Sequence, residues 1–179
     1  MYVFAIAFIA AVGGFLYGYD GGIIIGANLF LREQFQLSDM GWAFASTSMV
    51  VGAITGPFLG AWVCDRFGRK NTFIIASLLF SVSAVFTAIP RDIATFNIFR
   101  FVGGVAVGMC SIASPMYIAE VAPARIRGAL GLLYQLALVV GALCSLVVSY
   151  LLAQHLPESV SWRWMFFSEM VTIAAFAIC

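Results

Sequence analysis

The chain has 179 residues, 63% of them hydrophobic and 9% charged, and a formal net charge of +1. A soluble domain carries about a quarter of its residues as charges, so this composition excludes one and indicates a polytopic membrane protein. The near-neutral balance also excludes the broad basic surface that nucleic-acid binding requires.

Apolar stretches of roughly 20 residues recur, each long enough to cross a hydrocarbon core of about 30 Å. Six transmembrane helices are expected, at about 2–28, 40–63, 72–90, 93–119, 128–153 and 162–179. Span one lacks a basic leader and stays apolar beyond the length of a signal peptide. It carries Asp20 amid Gly13, Gly14, Gly18, Gly21 and Gly22. Small residues of this kind let helix backbones approach closely. Span two ends at Asp65, and the joint GAWVCDRFGRK (60–70) offers Gly68 for a tight turn. Span four holds Arg100, then Gly103, Gly104 and Gly108, with Pro115 as a kink site. Span five holds Gln135, and span six holds Trp162, Trp164 and Glu169. The two tryptophans are expected to anchor the outer interface. No internal repeat is evident.

Cys64, Cys110, Cys144 and Cys179 are far apart, without metal-ligand spacing, and suit small apolar packing roles. The lone histidine, His155, falls in an outer loop and is expected to be solvated. No nucleophile or metal constellation lies within the spans, so no cofactor is expected and an enzyme is not.

Lys and Arg in short loops set orientation. The loops after spans two and four hold Arg66, Arg69, Lys70, Arg125 and Arg127. The alternate loops and their edges hold Arg32, Arg91 and Arg163. The first set is therefore expected on the cytoplasmic side, with both termini.

Asp20, Arg100 and Glu169 lie inside apolar spans, where an ionisable residue is expensive and a functional candidate by default. At about 1.5 Å rise per residue, each is roughly 10–12 Å from the outer end of its span. Three charges at one level are expected to meet, because a lone buried charge costs several kcal/mol (~3–5) that a partner offsets. Two readings stand. Two carboxylates facing one guanidinium leave a charge unbalanced, which is what reversible protonation requires. A static cluster that only fixes helix packing satisfies the same spacing. Gln135, roughly 10 Å from the cytoplasmic end of its span, offers a donor and an acceptor to a hydroxylated ligand or to a neighbouring helix. At the cytoplasmic end, Asp65, Arg66, Arg69, Glu120 and Arg127 are placed to form a charged ring. Such a ring anchors the protein and can also latch that side shut.

The motifs resemble those of the sugar porter family of the major facilitator superfamily. GGFLYGYDGG (13–22) is similar to the family's first-helix motif. Gly60 with DRFGRK (65–70) resembles the superfamily loop motif. RFVGGVAVG from Arg100 and PMYIAEVAPARIRG from Pro115 resemble the more specific fourth-to-fifth helix signature. WRWMF (162–166) with Glu169 resembles the start of the sixth helix. The resemblance implies an all-α membrane protein with the N-terminal half of a major facilitator fold. It implies a carrier that moves a monosaccharide by alternating access in the plasma membrane, coupled to protons. Asp20 would be the protonated carboxylate, with Arg100 and Glu169 as partners. Gln135 would contact sugar hydroxyls, with Tyr17 flanking the sugar. Asp65, Arg66, Arg69, Glu120 and Arg127 would form the inner gate.

Family members have two six-helix halves, and this sequence supplies one. Its ends read as cut, so the expected partners are a monosaccharide, a proton, the lipid bilayer and a missing C-terminal half or a second copy of the chain. The alternative is a truncated six-helix protein that does not transport and instead pairs with or regulates another carrier.

Overall fold

Helix follows helix with short joints. In a computed structural model, which describes the backbone of residues 2–178 and the side chains of 11–28, 30–157 and 160–174, the elements are α1 (Tyr2–Gln34), α2 (Asp39–Phe67), α3 (Arg69–Ala88), α4 (Ile93–Val121), α5 (Arg127–His155) and α6 (Glu158–Ile178). Cys179, given a packing role from sequence, lies outside the described residues. α2, α3, α4 and α5 are each long and apolar enough to cross a membrane. At 33 residues, α1 is about 50 Å long, longer than the hydrocarbon core.

Local chemistry sets the joints. Ser38 caps α2 by accepting from the Gly41 N–H at 3.2 Å. Asp92 caps α4 by accepting from the Thr95 N–H at 2.6 Å. That bond favours the charged carboxylate and holds Asp92 below its ordinary 3.8. Gly68 supplies the turn between α2 and α3 at φ +82°, a conformation other residues rarely adopt, and its N–H closes on the Cys64 carbonyl at 3.0 Å. Pro123 follows the end of α4, where a helix cannot be continued. α4 itself runs unbroken through Pro115, and α2 through Pro57.

Two helix pairs mesh most extensively, α2 with α4 and α1 with α5. Small residues explain both seams. Gly14, Gly18, Gly22 and Gly26 recur every fourth residue along α1 and meet Tyr134, Leu138, Ala142, Ser145 and Ser149 of α5. A Cβ on Gly18 would collide with the Leu138 carbonyl. Gly52, Gly56 and Gly60 of α2 lie in the same way against Phe101, Val105, Gly108 and Met109 of α4. α3 then packs on α4, and α6 on α1. Exchanging α1, α2 and α3 for α4, α5 and α6 maps each of these pairings onto another. The packing therefore carries the three-helix repeat that the residues alone did not reveal.

Two apolar clusters fill the interior. Leu16, Met49, Phe80, Val105, Val107 and Met109 belong to one. Ile23, Leu31, Phe96, Trp162, Met165 and Phe166 belong to the other. The expectation for Trp162 is corrected here. Trp162 is 1% exposed and packs edge-on against Phe35 and Phe166. Phe166 is one helical turn further on the same face. Trp164, on the opposite face, is exposed. The outward sides of α2 and α5 are apolar, with Phe44, Ile54 and Phe58 on one and Leu136, Leu143 and Val147 on the other. In water such patches would drive association. Against hydrocarbon they are at home.

Candidate functional site

α1, α4 and α6 bring three charges together between the apolar clusters. Arg100 of α4 is 1% exposed, Asp20 of α1 3% and Glu169 of α6 5%. Arg100 Nη1 donates to Asp20 Oδ1 in a buried ion pair. Glu169 faces both of them, interacting with Asp20 and Arg100. The guanidinium carbon stands 5.6 Å from the centre of the Phe166 ring, within reach of a cation–π attraction. Its Nη2 points to the Met49 thioether of α2 at 2.9 Å.

The hydrogen bonding of the cluster is incomplete. Arg100 Nε is buried without a hydrogen-bond partner among the described residues, while the Asp20 and Glu169 carboxyls meet each other closely enough to hydrogen-bond through a shared proton. Two carboxyls and one guanidinium are electrically neutral only when the carboxyls share one proton between them. An unpaired charge at this depth would cost several kcal/mol (~3–5).

Beside the charges, Tyr19 shares a hydrogen bond of 2.8 Å with Ser168. Tyr19 precedes Asp20 and Ser168 precedes Glu169, so two adjacent residues on α1 face two adjacent residues on α6. Sequence reasoning missed this bond, although the parallel spacing was available. It also missed Met49 and Phe166, which carry no polar signal. The seam glycines around Asp20 keep α1 against α5 and so fix where the carboxylate sits.

Tyr17 is half-buried against the cluster that contains Leu16 and Val107. Gln135 is exposed on α5, next to the buried Tyr134, which packs on Gly14 and interacts with Tyr17. The two residues expected near a ligand therefore lie on neighbouring helices.

The ring of charges at the α2–α3 and α4–α5 joints resolves into separate contacts. Arg69 Nη2 donates to Glu120 Oε1 at 2.5 Å, and its Nη1 to the Cys64 carbonyl at 3.3 Å. Arg127 Nη2 reaches the Ala122 carbonyl at 3.4 Å. Arg69 and Arg127 thus converge on the end of α4, where carbonyls lack helical partners. Arg66 stands apart from them, with its guanidinium 5.7 Å from the Trp62 ring and 5.9 Å from the Phe67 ring. Asp65 is exposed and has no ion-pair partner among the described residues.

An all-helical bundle of long apolar helices with ionisable residues buried between them defines the class, an integral membrane protein. The chain belongs to the sugar porter family of the major facilitator superfamily, and residues 6–179 match the family described as "Sugar (and other) transporter". It is 36% identical over 206 residues to the D-xylose-proton symporter of Escherichia coli K12, covering 98% of this chain and 42% of the relative. It is 35% identical over 187 residues to the glucose transport protein of Synechocystis sp., covering 99% and 40%. It is 35% identical over 179 residues to the arabinose-proton symporter of Bacillus subtilis, covering 98% and 39%. The structure of the proton:xylose symporter XylE bound to 6-bromo-6-deoxy-D-glucose superposes with a TM-score of 0.94 at 34% identity, covering 99% of this chain and 44% of that one. An inward-open structure of XylE from E. coli gives 0.92 at 34% identity, covering 98% and 47%. The chain thus spans about two fifths of the length of these curated relatives. They are transporters, not enzymes.

Proposed function

We propose that this chain is the N-terminal six-helix half of a carrier that couples entry of a monosaccharide to entry of a proton by alternating access. All six helices then cross the plasma membrane, with both termini in the cytoplasm. A second six-helix half completes the sugar site.

The observation that carries this reading is the buried Asp20–Arg100–Glu169 cluster, with more carboxyls than cations. A purely structural ion pair has no use for the second carboxyl. A coupling site does, because a proton taken up from one side neutralises the surplus charge and lets the cavity close. On this reading Asp20 takes the proton, Arg100 holds it in place when ionised, and Glu169 sets the charge balance. The bridge from Tyr19 to Ser168 joins α1 to α6 so that they respond together. Gln135 offers its amide to sugar hydroxyls, and Tyr17 packs against the ring. At the cytoplasmic end the Arg69–Glu120 pair and the Arg127 contact with α4 tie α3, α4 and α5 together while that side is shut. Arg66, stacked on Trp62 and Phe67, and the exposed Asp65 become available as it opens. The excess of Lys and Arg at this end supports its cytoplasmic placement.

The test uses the full-length protein in proteoliposomes under an imposed pH gradient, with radiolabelled D-xylose, glucose and arabinose as probes. Asp20→Asn is expected to abolish uphill accumulation while sugar exchange across the membrane persists. Undiminished accumulation in that variant removes Asp20 as the coupling group. Failure of the unaltered, inserted protein to move any of the three sugars overturns the monosaccharide reading.

A further inference from the structure

The least expected neighbour of the buried arginine is a thioether. Arg100 has its Nη1 on Asp20 and its Nη2 on Met49 Sδ at 2.9 Å, and Nε has no partner among the described residues. A guanidinium fork fits a carboxylate with two parallel hydrogen bonds. Here it makes a single-point contact with Asp20, whose carboxyl also faces Glu169. The second arm of the fork is turned towards α2. Met49 is 5% exposed and packed in the cluster with Val105 and Met109, and Arg100 stands over the Phe166 ring on another side.

A thioether is a weak, uncharged and polarisable acceptor on a side chain with three rotatable bonds. It occupies an N–H without adding charge, and it follows the arginine when the helices shift. We infer that Met49 is a positioning residue of the coupling cluster. It holds Nη2 of Arg100 away from Asp20 and so keeps the ion pair at a single contact that a proton can displace. This rests on the proton-coupled reading above and adds to it the element that sets the working pH.

The groups facing Arg100 are Asp20 from α1, Glu169 and the Phe166 ring from α6, and Met49 from α2. Tyr19 is engaged with Ser168. α2 carries its charged residues Asp39, Asp65 and Arg66 at its ends, and α3 carries Arg69 and Lys70 at its start. No further charge on those helices competes for the arginine.

Removing the thioether frees Nη2 to close the fork on Asp20. A doubly bonded carboxylate is harder to protonate, so proton-driven uptake needs a more acid outer solution. Met49→Leu, which keeps the volume and loses the acceptor, is expected to move the pH midpoint of uptake acid by about one unit, a tenfold change in proton concentration. Met49→Gln, which returns a neutral acceptor, is expected to restore a midpoint close to that of the unaltered protein. Uptake is measured per inserted full-length carrier with the sugar probe that the unaltered protein accumulates best. Should the leucine variant not reach the membrane, Met49→Ala carries the same expectation. A variant that merely packs differently changes the amount inserted and leaves the midpoint in place. An unmoved midpoint in Met49→Leu, or a glutamine variant that shifts as the leucine variant does, overturns the role of Met49. Absence of pH-dependent accumulation in the unaltered protein overturns the symport reading and this one with it.

Discussion

Arg100 and Arg69 each hold an acidic side chain on another helix, in opposite surroundings. The Arg100 and Asp20 side chains are 2% and 4% exposed, whereas those of Arg69 and Glu120 are 28% and 47% exposed. A buried pair that loses one member leaves a charge stranded in apolar surroundings. An exposed pair that opens is met by water and loses little. The same chemistry therefore serves two purposes. On the proposed function, the buried pair is the one that a proton changes, and the exposed pair the one that breaks and re-forms as helices move.

The largest effect is expected from Arg100→Leu. It leaves Asp20 and Glu169 facing each other without a cation. A loss of about 3–5 kcal/mol follows, seen as a lowered midpoint of thermal unfolding of the full-length protein in detergent. Adding Asp20→Asn to that variant should recover part of the loss. A single variant no less stable than the Arg69 variant would erase the distinction between the two regions.

Gly18→Ala sharpens the comparison through the backbone. The added methyl meets the Leu138 carbonyl of α5 and pushes α1 outward, carrying Asp20 with it. Overpacking of this kind costs about 1–3 kcal/mol. The pH midpoint of uptake should move as well, because the carboxylate leaves its place beside Arg100. The Arg69–Glu120 pair, which involves neither α1 nor α5, should keep its salt sensitivity.

The smallest effect on stability is expected from Arg69→Ala, about 1 kcal/mol or less and smaller still at high salt. Its main consequence is conformational. The end of α4 loses its tie to α3, and more molecules should stand open on that side. Labelling of a cysteine introduced beside the α2–α3 and α4–α5 joints should rise accordingly.

Much of this arrangement was legible in the residues, for reasons that differ from element to element. Depth along each span brought Asp20, Arg100 and Glu169 to one level, because a helix rises by a fixed amount per residue. Gly68 announced its turn through the backbone angle it alone permits. Helix ends were harder to read. α1 continues to Gln34, past the apolar run, because Arg32 and Glu33 end the hydropathy without ending the hydrogen-bonded ladder. Trp162 was misread because interfacial preference belongs to a residue type, whereas burial depends on the face it occupies. Arg66 was expected in the charged ring, yet its guanidinium lies by Trp62, one turn back on its own helix, and by the adjacent Phe67. Met49 was invisible, since nothing in a methionine says that a guanidinium will point at it.

The two glycine seams have a consequence for how this sequence can drift. At Gly14, Gly18 and Gly22 on one helix, and at Gly52, Gly56 and Gly60 on another, the nearest atoms belong to the facing helix, mostly to its backbone. Backbone cannot repack as a side chain does, so at most of these positions even the smallest replacement forces the two helices apart. A few residues around each helix, the outward positions Ile54, Phe58, Leu136 and Leu143 are exposed in this chain and leave its own packing unchanged when exchanged among aliphatic and aromatic types. A map of tolerated substitutions would therefore trace the two seams as lines of costly change at every fourth residue. The architecture of the bundle would be visible in the genetics before any coordinate was known.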